Sequence, residues 1–365
     1  MIINAIDTKD ISVVVQGPID EELTILCLNS VRKYLPDSEI ILSTWENSNI
    51  KNLDYDILVL NKDTGEIISD FVDKVINNTN RQLLNTQSGL NKASRKYAFK
   101  IRTDCVLLNN NFINYFNKFE EFNDKYKIFQ NRVIVSSVYS KEYSLENNLI
   151  IPFHVSDFYF FGLTEDIKDY FMETKLLTVY DISEYNFKYN NLLHYRNYTA
   201  RYSAEQYYCW AWAKRKFKDI KFDDVSDINY KSYQFSLNIM YNNFIFLDLE
   251  QSGIYNKKHS SAFYDSRNID NLINYEKFKR KYIKLCVDKE DYEIDELSYW
   301  ANNLIGYLDI QVEKLKNDIN RYKITILDII CSFIFSIEYF YNKKIITILG
   351  FKITIKCNVK EKNYK

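Results

Sequence analysis

The chain has 365 residues, 46% of them hydrophobic, enough for one large domain or two modest ones around a sizeable core. Its formal charge of -1 provides no global field for nucleic acid, which leaves only local basic patches as charged surfaces. Six scattered cysteines, Cys27, Cys105, Cys209, Cys286, Cys331 and Cys357, form no CxxC pair, which argues against a zinc ribbon or a disulfide scaffold and for buried thiols in a reducing compartment.

In chain order, "MIINAIDTKD" lacks a basic segment followed by an apolar core, so no signal peptide is expected. The β-branched run "ISVVVQ" (Ile11–Gln16) predicts a buried strand that stops at Gly17 and Pro18. Helical spacing follows over Glu21–Tyr34, ahead of Pro36. Glu39–Thr44 and Asp56–Asn61 predict two more strands, Asn77–Ser94 a helix, and Tyr97–Asp104 a fourth strand. Alternating strands and helices with short joins predict an α/β fold, with a mostly parallel sheet flanked by helices. Arg132–Ser140 and "FHVSDFYFFG" (Phe153–Gly162) read as strands, Ala204–Phe217 as a helix, and "NFIFLDL" as a strand. Tyr275 to about Tyr322 has a helical pattern, with Leu297, Ala301, Leu304, Leu308 and Leu315 on one face. The tail from Ile324 to Lys365 is apolar, then alternating and basic. It reads either as a monotopic membrane foot or as a C-terminal helix packed on the core. No run of about 18 uncharged apolar residues is present, so no membrane-spanning helix is expected.

The chemistry is narrowed first by what is missing. There is no GxGxxG and no GxxxxGK[ST], so neither a dinucleotide Rossmann site nor a P-loop is expected. In open α/β sheets ligands bind at the carboxyl ends of strands. Gln16, Gly17 and Pro18 form such an end, where a glycine lets a ligand approach the backbone; an ordinary βα turn is the alternative. "KIRTD" places Lys100, Arg102 and Asp104 at another. A carboxylate there can hold a cation, and the cation phosphates.

The ordered segments "VVVQGPI", "LPDSEIILSTWEN", "NNTNRQLLNTQSGL", "KIRTD", "HVSDFYFFGL" and "AEQYY" resemble the WavE-like family of lipopolysaccharide-synthesis proteins over roughly Ile11–His259. The resemblance implies a GT-A-like fold and transfer of a sugar from a nucleotide-sugar donor to a growing bacterial surface glycan. Residues 1–265 would then form the catalytic domain, 266–323 a helical extension and 324–365 the tail. The reading as a whole expects a cytoplasmic location; the tail read as a membrane foot would give peripheral contact to the inner membrane face and fit a lipid-linked acceptor, and the charge balance leads to no nucleic-acid partner being expected.

Such a site needs a counter-charge for the departing diphosphate. Asp104 could bind Mn²⁺ or Mg²⁺ as a Lewis acid. GT-A enzymes usually carry Asp-x-Asp here, whereas this chain has Arg102-Thr103-Asp104, so Lys100 or Arg102 could neutralise phosphate directly. The bland alternative for Asp104 is a turn or capping residue. Arg81, in the first turn of a helix, suits anions, although a solvated surface arginine is the commoner case. Thr44 and Trp45 end the second strand, where base and ribose are expected; Trp45 is as readily a core or rim residue.

His154 and Asp157 interrupt an aromatic run and are costly there unless satisfied or used. Asp157 could touch donor or acceptor hydroxyls or serve as the catalytic base, and His154 alone is more often a satisfied core histidine. Glu205 reads either as a catalytic base for inverting transfer or as a first-turn acid behind an N-cap at Ser203. Gly253, Lys257, Lys258 and His259 read as a mobile loop or as a source of a further metal ligand and a phosphate contact. His194 has no informative context. Two rivals remain: a sugar nucleotidyltransferase, disfavoured by the acidic "QGPIDEEL", and a non-catalytic glycan-binding or scaffold protein.

Overall fold

A computed structural model of the chain describes residues 6–70, 75–144, 149–184, 200–225, 227, 229–264, 272–290, 312, 315, 336–340, 343–348 and 351–356. The chain divides into two compact units, Met1–Trp300 and Ala301–Lys365.

In the first unit, β1 (Ile11–Gln16), α1 (Leu23–Tyr34), β2 (Glu39–Trp45) and β3 (Ile57–Asn61) follow one another, then a small hairpin of β4 (Ile67–Asp70) and β5 (Val75–Asn77). Next come α2 (Thr79–Lys92), β6 (Tyr97–Arg102), the short β7 (Cys105–Leu107) and β8 (Val133–Ser136). β9 (Lys141–Ser144) and β10 (Leu149–His154) form a hairpin, followed by β11 (Tyr159–Leu163), α3 (Thr164–Phe171), α4 (Ala204–Lys216) and α5 (Tyr230–Asn243). β12 (Phe244–Leu247), α6 (Leu249–Ser252), β13 (Ile254–Asn256), α7 (Ser261–Tyr264) and α8 (Tyr275–Tyr282) follow among the described residues.

Seven strands form one mixed sheet in the order β12-β8-β11-β6-β1-β2-β3. β1 pairs in parallel with β2 and β6, and all six of its residues are buried. A strand covered on both faces needs such a continuous β-branched run, which is why "ISVVVQ" is legible as one. β11 is antiparallel to β6 and β8, so the sheet is mostly, not wholly, parallel. α2 lies close on the face of Val14 and Ser43. A Cβ added at Gly89 would collide with Val14 Cγ1 and come within 3.2 Å of Ser43 Cβ. Gly89→Ala is therefore expected to lower stability by about 1–3 kcal/mol through overpacking, despite the helix propensity of alanine. A urea melt read by far-UV circular dichroism checks this, and an unchanged midpoint would show that the helix can shift at no cost.

The structure corrects two readings. "FHVSDFYFFG" is not one strand: it is the end of β10 and the start of β11, in different sheets. Phe153 has φ 60°, and Ser156 N–H turns aside to Ser140 Oγ at 2.9 Å. The helical pattern from Tyr275 is α8 as far as Tyr282, then a π-helical turn over Ile283–Val287; Val312 and Leu315 are helical again. Leu297, Ala301, Leu304 and Leu308 lie outside the described residues, as do His194, Cys331 and Cys357. In the second unit the described tail is not a helix but an antiparallel meander of β14 (Ser336–Phe340), β15 (Lys343–Ile348) and β16 (Phe351–Lys356). Its alternating sequence has the period of a strand. Among the described residues no helix is long and apolar enough to cross a membrane.

Candidate active site

The carboxyl ends of β1, β2 and β6 open into a cavity of about 300 Å³. Its wall includes Gln16, Gly17 and Pro18 from the first turn, Trp45 from β2, and Asn78, Arg81, Gln82 and Asn85 from α2. Arg102, Thr103 and Asp104 after β6, and Lys258 after β13, close it. The position follows from parallel pairing, which brings three strand ends to one edge.

Gly17 is needed by geometry. Its φ is 135°, and a Cβ there would lie 2.8 Å from Thr103 Oγ1. Thr103 in turn donates to Pro18 O at 2.8 Å, tying the first turn to the end of β6.

The charged end of the cavity centres on Arg102. Its Nε and Nη2 donate to Asp104 Oδ1 and Oδ2 at 3.0 and 2.7 Å, and its guanidinium lies 5.1 Å from the Phe158 ring. Its Nη1 lies 3.8 Å from Asp157 Oδ1. Burial opposes charge on Arg102, but Asp157 and Asp104 outweigh it and raise the pKa. Burial acts to raise the Asp104 carboxyl, and Arg102, His259 and Asn256 override it, holding the pKa below the ordinary value. Asn256 Nδ2 donates to Asp104 Oδ1 at 2.9 Å. The antiparallel pairing of β13 with β7 sets Asn256 opposite Cys105 and so delivers it.

A second group lies behind Arg102. Asp157 is 3% exposed, and its Oδ2 is buried without a hydrogen-bond partner among the described residues. Glu205 is partly buried in the first turn of α4, where Ser203 caps the helix by accepting from Gln206 N–H at 3.2 Å. Burial, and then Asp157, raise the Glu205 pKa to about 7. His259 stacks edge-on with Tyr139 and senses Arg102, Asp104 and Asp157; burial and then Arg102 lower its pKa.

Of the residues singled out in the sequence, Gln16, Gly17, Pro18, Arg81, Arg102 and Asp104 share the cavity, and Asp157, Glu205 and His259 gather around Arg102. Three stand elsewhere. Thr44 is fully buried, with Oγ1 3.0 Å from Ser48 Oγ, and is not on the cavity wall. Lys100 is 1% exposed beneath the sheet edge; its Nζ donates to the Asp157 carbonyl and lies over the rings of Phe160 and Phe171. Burial lowers its pKa to about 8. Lys100 thus holds the segment carrying Asp157 and does not reach the cavity. His154 donates through Nδ1 to Tyr139 O at 2.7 Å and is satisfied there. Arg81 reaches the cavity already paired to Asp63 at 2.5 Å.

The arrangement does not fit the expected Mn²⁺ or Mg²⁺ site. Both Asp104 oxygens are engaged by Arg102, and a guanidinium lies between Asp104 and Asp157 where a cation would sit. Among the described residues no three His, Cys, Asp or Glu side chains are grouped to hold a metal.

Sequence reasoning missed Asn256, Tyr139 and the amides of α2. The buried Gln16 Oε1, Gln82 Oε1 and Asn85 Nδ2 have no partner among the described residues, and all three belong to residues of the cavity wall. Asn85 Oδ1 is held by Asn61 Nδ2 at 2.8 Å. Asn61 Nδ2 also faces the Thr44 carbonyl at 3.3 Å. A carbonyl only accepts, so this contact fixes both amides and leaves Asn85 Nδ2 as the free donor.

The family model described as WavE lipopolysaccharide synthesis matches residues 11–311. No curated protein matches the chain.

Proposed function

The chain belongs to the WavE lipopolysaccharide synthesis family, and from that premise we propose that it is a glycosyltransferase taking a sugar from a nucleotide donor to a surface glycan. The observation that carries this reading is Arg102 at the floor of a cavity formed by three parallel strand ends. Guanidinium groups bind diphosphate through paired, charge-assisted hydrogen bonds. Arg102 keeps Nη1 free of hydrogen bonds among the described residues, and Lys258 adds a cation with no carboxylate partner among them. The neutral amides of Gln16, Gln82 and Asn85, beside Trp45, suit a nucleobase, which offers donors, acceptors and a flat face together. Glu205 is the proposed base that takes the acceptor proton in an inverting transfer. A carboxylate with pKa about 7 is matched to that task near neutrality. Asp157 raises that pKa by its charge. In this reading Arg102 and Lys258 supply the counter-charge to the leaving diphosphate.

A thermal-shift panel of UDP, GDP, CDP, CMP and dTDP, each with Mn²⁺ and with EDTA, tests it. One nucleotide is expected to raise the melting temperature and to keep doing so in EDTA. At 100 times the dissociation constant, binding contributes about 2.7 kcal/mol. Stabilisation that disappears in EDTA would return the counter-charge to a metal at Asp104. Stabilisation by none of the five would remove the transferase reading and favour glycan binding without catalysis.

A further inference from the structure

Tyr139 lies in the turn between β8 and β9 with φ 65°. This left-handed conformation is unfavourable for a bulky residue and persists only where the surroundings over-determine it. They do so here. Ser137 N–H donates to Leu247 O at 3.0 Å, and Ile273 N–H to Ser140 O at 2.8 Å. The Ser140 hydroxyl donates to Ser136 O at 2.6 Å and accepts from Ser156 N–H at 2.9 Å. The last clamp is His154, which the β9–β10 register sets opposite Lys141 and whose Nδ1–H donates to Tyr139 O at 2.7 Å. Burial, and then Lys141, lower its pKa to about 3, so it stays neutral in this tautomer.

The clamp aims a phenol at the charged group behind Arg102. The ring meets Phe158 edge-on at 5.4 Å and His259 at 5.8 Å. The hydroxyl is 3.5 Å from His259 Nδ1, at the outer limit of a hydrogen bond. The same phenol feels the charges of Glu205, Arg102 and Asp157. Packing alone would be served by phenylalanine, and the backbone alone by asparagine or glycine. Neither requirement accounts for the hydroxyl, which donates and accepts as a sugar hydroxyl does.

We propose that Tyr139 is a further substrate-contacting residue, its hydroxyl bonding a sugar hydroxyl beside Asp157 and Glu205, with His154 as the residue that positions it. The proposal rests on the transferase reading and names a residue, beside the acids around Arg102, that meets sugar.

The test uses the full chain, with Tyr139→Phe, Tyr139→Asn, His154→Asn and His154→Leu. Isothermal titration compares UDP-, GDP- and CDP-linked hexoses with the matching free nucleoside diphosphates. Transfer to a lipooligosaccharide acceptor is measured alongside. If the sugar hydroxyl belongs to the donor, Tyr139→Phe lowers the affinity of the nucleotide-sugar by about tenfold and leaves the nucleoside diphosphate unchanged. If it belongs to the acceptor, donor affinity is unchanged and the acceptor kcat/KM falls by about tenfold. Tyr139→Asn shows the same loss with a melting temperature equal to or above that of wild type, because asparagine tolerates the turn. His154→Asn, which keeps an N–H donor, preserves function, and His154→Leu reproduces the Tyr139→Phe loss.

Wild-type donor affinity and wild-type transfer in Tyr139→Phe would overturn the proposal and leave the transferase reading intact. Failure of wild type to bind any nucleotide or nucleotide-sugar would remove both.

Discussion

Glu205→Gln is expected to lower the turnover number about 10²- to 10⁴-fold while leaving nucleoside diphosphate affinity near that of wild type, because a general base acts on the acceptor proton and not on the donor phosphates. Wild-type activity should rise with pH along a limb centred near the Glu205 pKa of about 7. Below it the carboxyl is protonated and cannot take a proton, and the variant should lose that limb. The stability effect has the opposite sign. The folded pKa lies above the ordinary carboxyl value, so the folded state holds the proton more tightly than the unfolded one. Stability is therefore full below the ordinary value and falls as pH rises toward about 7. Above pH 7 the Gln variant should be more stable than wild type, and at pH 4 the two should be alike. Glutamine has the shape of the acid, and the Ser203 cap is untouched. Initial rates and thermal melts from pH 5 to 9 check both halves. A variant that gains stability above pH 7 but keeps its rate would demote Glu205 to a strained structural acid and move the base to Asp157.

Arg102→Lys is expected to weaken nucleoside diphosphate binding by roughly 10- to 100-fold, the loss of about one charge-assisted hydrogen bond. The charge stays, but the fork that spans Asp104 and faces Asp157 does not. Arg102→Ala removes the charge as well and takes the ion-pair partner from two carboxylates, one of them only 3% exposed. That variant is expected to lose about 3–5 kcal/mol of stability. Titration calorimetry on the lysine variant and a denaturant melt on the alanine variant separate the two effects. Undiminished binding by the lysine variant would transfer the diphosphate to Lys258 or Arg81 and end the case for Arg102 as the counter-charge.

The sheet that builds this site is written in local patterns. "ISVVVQ", "EIILST" and "DILVLN" read as strands, and Glu21–Tyr34 as a helix, because burial on both faces selects continuous apolar runs in strands and a period of 3.6 in a helix. The turn at Gly17 is local in the same way. Other features depend on pairings between distant segments, and no local pattern records them. Lys100 and Arg102 are two residues apart and face the same side of β6. Two residues of strand span only about 7 Å. That distance separates a lysine packed beneath Phe160 and Phe171 from an arginine that emerges at the cavity floor. Asn256 reaches Asp104 only because β13 pairs with β7, and Lys100 meets the Asp157 carbonyl only because β11 lies antiparallel beside β6. Residue types and periodicity thus carried the architecture and most of the cavity wall. Which charge faces the cavity, and which is spent holding the structure, was set by depth along a strand and by contacts across more than fifty residues of chain.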